Sequence, residues 1–339
     1  MVIKKIKFHL PLVNAHSHAA MVAFRGLAED MPLDTWLNQY IWQMEKERIN
    51  PQFIYQNTLA AIKEMKDNGI ALFNDMYFFA AEIARAAEKM KMPAVIGEGI
   101  IDFPTPSAKA PDEAMKITEK LLVQYKNHPL IKIAVAPHSI YIVSAENLTR
   151  AKELADQYKA IYHLHCAETK KEVDDCMSQH QLTPVAYLDK LGVLDERTVL
   201  AHCVWLTDED MDILARRQVK VASCPLSNLK LGSGVAPLSK MLDKGITVAL
   251  GTDGAASSNR LDIWEAGKFA ALLQKGINLD PTKISAKQSV AMMTVNGLRA
   301  LGYENFRGQP LSFWQERLEQ GGNYNYLYET QARDLLISR

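Results

Sequence analysis

His16 and His18 stand two residues apart at the end of a short apolar run, Leu12 to His18 (LVNAHSH). On a β-strand residues i and i+2 point to the same side, so the two imidazoles can share one metal ion. Similar runs carry His138, then His163 and His165 with Glu168 three residues on, then His202, and finally Asp253. Six of the nine histidines (16, 18, 138, 163, 165 and 202) fall in four such segments, where chance would scatter them. An imidazole from His165 and the carboxylate of Asp253 add N and O donors to the first pair. That set suits one divalent cation, Zn²⁺ first, with Fe²⁺ or Mn²⁺ less selectively served. A remaining coordination position would hold water, whose pKa the metal would lower toward neutrality.

What must position these groups is a series of strands, each followed by a helix. Eight β-like runs recur: Leu12 to His18, Ala71 to Tyr77, Ala94 to Ile100, Ile131 to Ser139, Ala160 to Glu168, Thr198 to Val204, Lys220 to Pro225 and Thr247 to Gly254. Their apolar, β-branched character suits strands buried on both faces. Amphipathic segments lie between them, among them Pro51 to Asn68, Pro111 to Lys126, Ala145 to Tyr158 and Asp208 to Arg217. Eight strand–helix units predict an α/β fold of the (β/α)8 TIM-barrel type, in which chemistry sits at the C-terminal ends of the strands. The rival, an open doubly wound sheet, lacks any GxGxxG or GxxxxGK[ST] phosphate loop. Residues 1–11 read as a short N-terminal extension and 12–300 as the barrel. Residues 301–339, broken at Gly321-Gly322, read as an appendage packed on it.

Composition excludes several classes. The chain of 339 residues is 48% hydrophobic and 23% charged, which argues against disorder. Its 39 Lys+Arg balance 39 Asp+Glu, so neither nucleic acid nor a membrane surface is an expected partner. The opening MVIKKIKFHLPL is no signal peptide, and no apolar stretch reaches the ~18 residues of a membrane span. Four cysteines without a CxxC pair point to a reducing, cytoplasmic setting. Cys166, Cys203 and Cys224 adjoin strand ends but read as small buried apolar residues, and Cys176 lies on a helix. His163 faces the same way as His165 one layer deeper and reads as barrel core; His9, His128 and His180 read as surface or packing residues.

These residues also carry a resemblance. NAHSHAAMVAFRGLAEDMPLDTWL (Asn14 to Leu37) resembles the first metal loop of the amidohydrolase superfamily. HLHCAET (His163 to Thr169), LAHCVWL (Leu200 to Leu206), CPLSNLKLGSGVAP (Cys224 to Pro237) and LGTDGAASSN (Leu250 to Asn259) match its later motifs in order. Within the superfamily the chain resembles the S-adenosylhomocysteine/5′-methylthioadenosine deaminases and their relatives among nucleobase and triazine hydrolases. The resemblance implies His16, His18, His165 and Asp253 as metal ligands, Glu168 as proton shuttle, and His202 orienting the attacking water with Asp253. A carboxylate so placed can take a proton from that water and hand it to a ring nitrogen and then to leaving ammonia. Binuclear members carry a modified lysine at the end of strand four; Ala136-Pro137-His138 stands there instead, so a single metal is expected.

The same resemblance implies substrate contacts. Trp36 and Glu45 would meet the nucleoside, the Glu45 carboxylate accepting bonds from two ribose hydroxyls. His138 would lie near purine and sugar, and Ser257 near the purine ring. Core packing for Trp36 and a solvated helix face for Glu45 stand as equal readings. Where relatives grip the amino-acid tail of S-adenosylhomocysteine with an arginine, this chain has Glu98, which would repel a substrate carboxylate. That favours adenosine, 5′-deoxyadenosine, 5′-methylthioadenosine or aminodeoxyfutalosine over S-adenosylhomocysteine. The β-sandwich usual in relatives is expected to be absent or reduced to a remnant strand at Val2 to Leu10. Phe313, Trp314, Tyr324, Tyr326 and Tyr328 would cover the side left bare, or form a homodimer contact. The implied activity is hydrolytic removal of the 6-amino group of an adenine nucleoside, a small-molecule substrate. A triazine, guanine or pterin is the alternative substrate, and a non-catalytic metal-binding scaffold the alternative of another class.

Overall fold

The computed structural model describes residues 6–8, 10–27, 29–322, 327–328 and 335–337. Eight parallel strands follow one another round a nearly closed barrel in chain order. They are β1 (Leu12–Ser17), β2 (Ile70–Tyr77), β3 (Ala94–Ile100), β4 (Ile131–Pro137), β5 (Tyr162–Cys166), β6 (Thr198–His202), β7 (Lys220–Ser223) and β8 (Thr247–Leu250). Both faces of these strands are buried, the inner by one another and the outer by the helices that follow, as their unbroken apolar runs require. Those helices begin where the sequence offers caps. Asn50 accepts from Phe53 N ahead of Pro51–Asp67, and Thr207 forms a capping box with Asp210 ahead of Asp208–Arg216.

Side chains knit the seam between β8 and β1. Asn14 Nδ2 donates to Thr252 Oγ1 at 2.7 Å, and Thr252 N donates to Asn14 Oδ1 at 2.9 Å. Asp253 N then donates to His16 O at 3.0 Å. A Cβ on Gly251 would lie 2.8 Å from His16 O and 2.9 Å from His16 N, so only glycine lets the two chain segments come this close. This seam sets Asp253 beside His16.

Several strands stop short of the runs read from the sequence. β5 ends at Cys166 rather than Glu168, and β8 at Leu250 rather than Gly254. Ala167, His202, Cys203 and Asp253 take positive φ angles of 50°, 69°, 51° and 61°. That left-handed conformation is unfavourable for residues with a Cβ, and it breaks the ladder just where the polar side chains must turn inward.

The opposite mouth of the barrel is filled from the C-terminal side. Val13, Ala71, Val95 and Ala134 meet Leu298, Leu301 and Phe306 in one apolar cluster, with Leu311 and Trp314 against it. The chain there forms a hairpin (Asn305–Phe306 with Gln309–Pro310) and the helix Leu311–Glu319. Phe313 packs edge-to-face on Trp314, whereas Tyr324 and Tyr326 lie outside the described residues. Ile6–Phe8 pairs in parallel with Leu335–Ile337, so the strand expected within Val2 to Leu10 has a partner from the other end of the chain; Val2–Lys5 and His9 lie outside the described residues. His128 pairs with Glu88 at 3.1 Å and His180 stacks on Tyr187, both packing roles. All four cysteines are buried and free. Among the described residues no helix is long and apolar enough to cross a membrane.

Candidate active site

The end of β1 is held from β2. Asp75, fully buried, accepts from Ser17 Oγ at 3.0 Å and from Ala19 N at 2.5 Å, and Ser17 Oγ also donates to Asn74 O. With Ser17 pinned to that side, His16 and His18 turn the other way, toward the barrel axis, and their rings meet edge-on at 4.9 Å. His165 arrives from β5, its Nε2 only 3.3 Å from His18 Nε2. Asp253 Oδ1 lies 3.5 Å from His16 Nε2 and 3.2 Å from His18 Nε2. Its other oxygen, Oδ2, accepts from Ser227 Oγ (2.6 Å) and Ser257 Oγ (2.8 Å), which fixes the carboxylate's direction.

The outer ring nitrogens are all engaged. His18 Nδ1 bonds the carbonyl of Met76, and His165 Nδ1 bonds that of His138 at 2.8 Å. A carbonyl only accepts, so each Nδ1 carries the proton and a neutral ring leaves a lone pair on Nε2. His16 Nε2 is buried with no hydrogen-bond partner. Several nitrogen lone pairs and a carboxylate oxygen therefore converge with no donor between them, an arrangement that a divalent cation satisfies and that neutral side chains alone do not. Burial holds His16 and His165 well below the ordinary histidine pKa. Burial also opposes protonation of His18, but the Asp253 and Asp75 carboxylates and the Met76 carbonyl together outweigh it and raise His18 to about 9. A proton on His18 is thus the competitor a metal must displace.

Glu168 stands beside this cluster, its Oε2 3.7 Å from His202 Nε2. Its backbone is clamped because the Glu172 carboxylate accepts from both Ala167 N (2.9 Å) and Glu168 N (2.8 Å). Burial pushes the Glu168 carboxyl up to about 7, so it can hold or release a proton near neutrality. His202 is fixed by a 2.8 Å contact from its Nδ1 to Asn228 Oδ1, on the helix Pro225–Lys230.

These groups open into a concave pocket with mostly apolar walls and a few polar groups at its floor, the character of a small-molecule site. Trp36 and Glu45 both line it. Nine residues at ~100° each would put them on opposite faces of a regular helix. The wide turn at Leu37–Ile41, between the helical turns Leu33–Trp36 and Trp42–Arg48, brings them to one side. Glu45 is buried rather than on a solvated face, and Tyr77 Oη donates to its Oε1 at 2.6 Å. Burial raises the Glu45 carboxyl to about 7. His138 lines the pocket against His165, with ring centres 4.4 Å apart, and burial drives its pKa down to about 3. Ser257 also lines it, although its hydroxyl is spent on Asp253.

Glu98 is a correction. β3 turns its side chain outward, where it accepts from Phe79 N (3.2 Å), Ala80 N (2.7 Å) and the Ser107 hydroxyl. It holds the first turn of the helix Ala80–Lys89 and does not line the pocket, so it cannot repel a substrate carboxylate there. Sequence reasoning also missed Asp75, Tyr77, Ser227 and Asn228. The serine and asparagine stood inside the CPLSN motif, but a hydroxyl or an amide alone does not announce which neighbour it will orient.

The chain matches the model of the amidohydrolase family over residues 11–306. It belongs to that family. It is 46% identical over 292 residues to a 5-methylthioadenosine/S-adenosylhomocysteine deaminase of Thermodesulfovibrio yellowstonii, covering 86% of this chain and 66% of the relative. A 5′-deoxyadenosine deaminase of Methanothermobacter thermautotrophicus is 45% identical over 298 residues, with 86% and 68% covered. The chain thus spans about two thirds of the length of these curated relatives. Among solved structures, an adenosine deaminase of Xanthomonas campestris with bound zinc superposes with a TM-score of 0.90 at 36% identity. It covers 96% of this chain and 77% of that one.

Proposed function

We propose that this amidohydrolase is a metal-dependent deaminase of adenine nucleosides, replacing the 6-amino group by oxygen with release of ammonia. The observation that carries the reading is the convergence of His16, His18, His165 and Asp253 beside a buried carboxyl, Glu168, that is poised near neutrality. His16, His18, His165 and Asp253 would hold a single divalent cation, zinc by preference, and when bound it would supply the Lewis acid that makes water nucleophilic at neutral pH. Glu168 would take the first proton of the attacking water and deliver it to the purine ring nitrogen next to the reacting carbon; it would then carry the proton left on the newly bonded hydroxyl to the amine, which departs as ammonia as its C–N bond breaks. His202, braced by Asn228, presents its Nε2 to the nucleophile's side of the cluster. Asp253 is aimed by Ser227 and Ser257 and, with His202, orients the nucleophile by accepting a hydrogen bond from it.

Trp36 offers a flat apolar face to the base, and the Glu45 carboxylate, steadied by Tyr77, accepts from the ribose hydroxyls. Leu33, Leu37, Ile41, Trp42, Phe78 and Ile101 make the remaining wall apolar, and among the described residues no Arg or Lys lines the pocket. A 5′-methylthio or 5′-deoxy group fits such a wall, whereas an amino-acid tail would bring an unpaired carboxylate into it. The four buried free thiols suit a reducing, cytoplasmic compartment.

Ammonia release by zinc-loaded protein across a substrate panel tests this. Turnover of 5′-methylthioadenosine and 5′-deoxyadenosine, with S-adenosylhomocysteine slower by at least tenfold in kcat/KM, is expected. Turnover confined to free adenine, guanine or a triazine would discard the ribose contacts of Glu45. Silence on every compound by metal-loaded protein would leave a binding scaffold instead.

A further inference from the structure

We propose that His163 is a positioning residue for the metal centre, fixing the tautomer of His16 through a two-histidine relay anchored on the carbonyl of Val199. The proposal rests on the reading of His16, His18, His165 and Asp253 as that centre, and it assigns work to a residue that its sequence position marked only as barrel core.

His163 is fully buried on β5, two residues below His165 on the same face. Its Nδ1 lies 2.9 Å from Val199 O. The carbonyl can only accept, so Nδ1 carries the ring proton and the neutral ring keeps its lone pair on Nε2. That Nε2 lies 2.8 Å from His16 Nδ1, and two lone pairs cannot face each other at that distance. His16 Nδ1 must therefore donate, which leaves the lone pair of His16 on Nε2. This is the atom that is buried without a hydrogen-bond partner and faces Asp253 Oδ1. Val199 thus sets His163, and His163 sets His16.

The other two histidines need no such intermediary. His18 and His165 reach main-chain carbonyls directly, that of Met76 in the last residues of β2 and that of His138 just beyond β4. His16 sits deeper, within β1 itself, where its Nδ1 points across the barrel. β5 is the strand diametrically opposite β1 in a ring of eight, so a side chain with an acceptor at its far end has to span the interior. Histidine does this while donating backward to β6. With its Nε2 engaged by His16, His163 is not itself a ligand. Partners of this second layer typically change metal affinity by roughly 10- to 100-fold when removed.

The test compares zinc affinity, by competition with a chromophoric chelator, for the wild-type protein and for His163→Leu and His163→Gln. Leucine fills the space but offers no acceptor; glutamine restores an acceptor oxygen toward His16. The relay predicts that zinc binds His163→Leu roughly 10- to 100-fold more weakly and that His163→Gln recovers most of the loss. Equal affinity in all three proteins, or an equal loss in both variants, would overturn it in favour of plain packing. Nitrogen-15 histidine NMR of zinc-loaded wild type needs no variant: His163 must show a neutral ring protonated at Nδ1. A ring protonated at Nε2, or carrying a metal-bound nitrogen, contradicts the relay. Wild type that takes up no stoichiometric zinc would overturn the metal centre itself, and the relay with it.

Discussion

Glu168 is surrounded by groups that act on its proton and by none that replace it. Burial raises its carboxyl to about 7, His202 nearby partly offsets this, and Glu172 spends its own oxygens on the backbone of Ala167 and Glu168. Glu168→Gln keeps the shape and removes the proton carriage. We expect turnover to fall by roughly 10²- to 10⁴-fold with zinc content unchanged, measured as ammonia release against bound metal per chain. Loss of zinc in this variant would mean that Glu168 belongs to the metal centre. At this scale the sequence was legible where chemistry is written in residue type. The His-x-His pair, His165, His202 and Asp253 stood out because imidazoles and carboxylates are rare at strand ends. The residues that aim them, such as Ser227, Asn228 and His163, did not, because their role depends on a partner far along the chain.

Elements carry the site by where they stop. Left-handed turns at Ala167, His202 and Asp253 end β5, β6 and the approach from β8, and they swing the functional side chains into the barrel mouth. Periodicity read the strands correctly but overran these ends, since an apolar run contains no mark of a single residue at positive φ. Glu98 failed for a related reason: alternation along β3 puts residue 98 on the outer face, and only the register decides that. The structure makes it a buried clamp whose carboxyl is raised by burial from its ordinary 4.5 to about 7, against the bonds from Ser107, Ala80 and Phe79. A group that holds its proton more tightly when folded contributes its full stability below pH 4.5 and loses it as pH rises through 7. The stability difference between wild type and Glu98→Gln should therefore move in favour of glutamine by up to about 3 kcal/mol across that window. Denaturant unfolding of both proteins along a pH series measures it. A pH-independent difference would show that the carboxyl ionises freely when folded.

The whole molecule divides its labour between two mouths of one barrel. The C-terminal mouth holds the polar cluster, and the other is closed by Leu298, Leu301 and Phe306. We read the hairpin and helix within residues 301–319 as an appendage that covers the apolar end of the barrel. Phe306→Ala should then cost about 3–5 kcal/mol by thermal or denaturant unfolding, while KM for a good nucleoside stays within twofold. A large change in KM with stability intact would tie the appendage to the pocket instead. Barrel architecture was legible from eight recurring strand–helix units; what closes its lower end was less so, because the tail's aromatics suit a dimer contact as an alternative to a cover. The central claim, metal-dependent deamination, is tested most directly by following conversion of 5′-methylthioadenosine by the same preparation before and after its metal is stripped and returned. We predict that stripped protein is inactive and that activity returns in proportion to zinc up to one equivalent per chain. Undiminished turnover by metal-free protein, or none after zinc is restored, would contradict it.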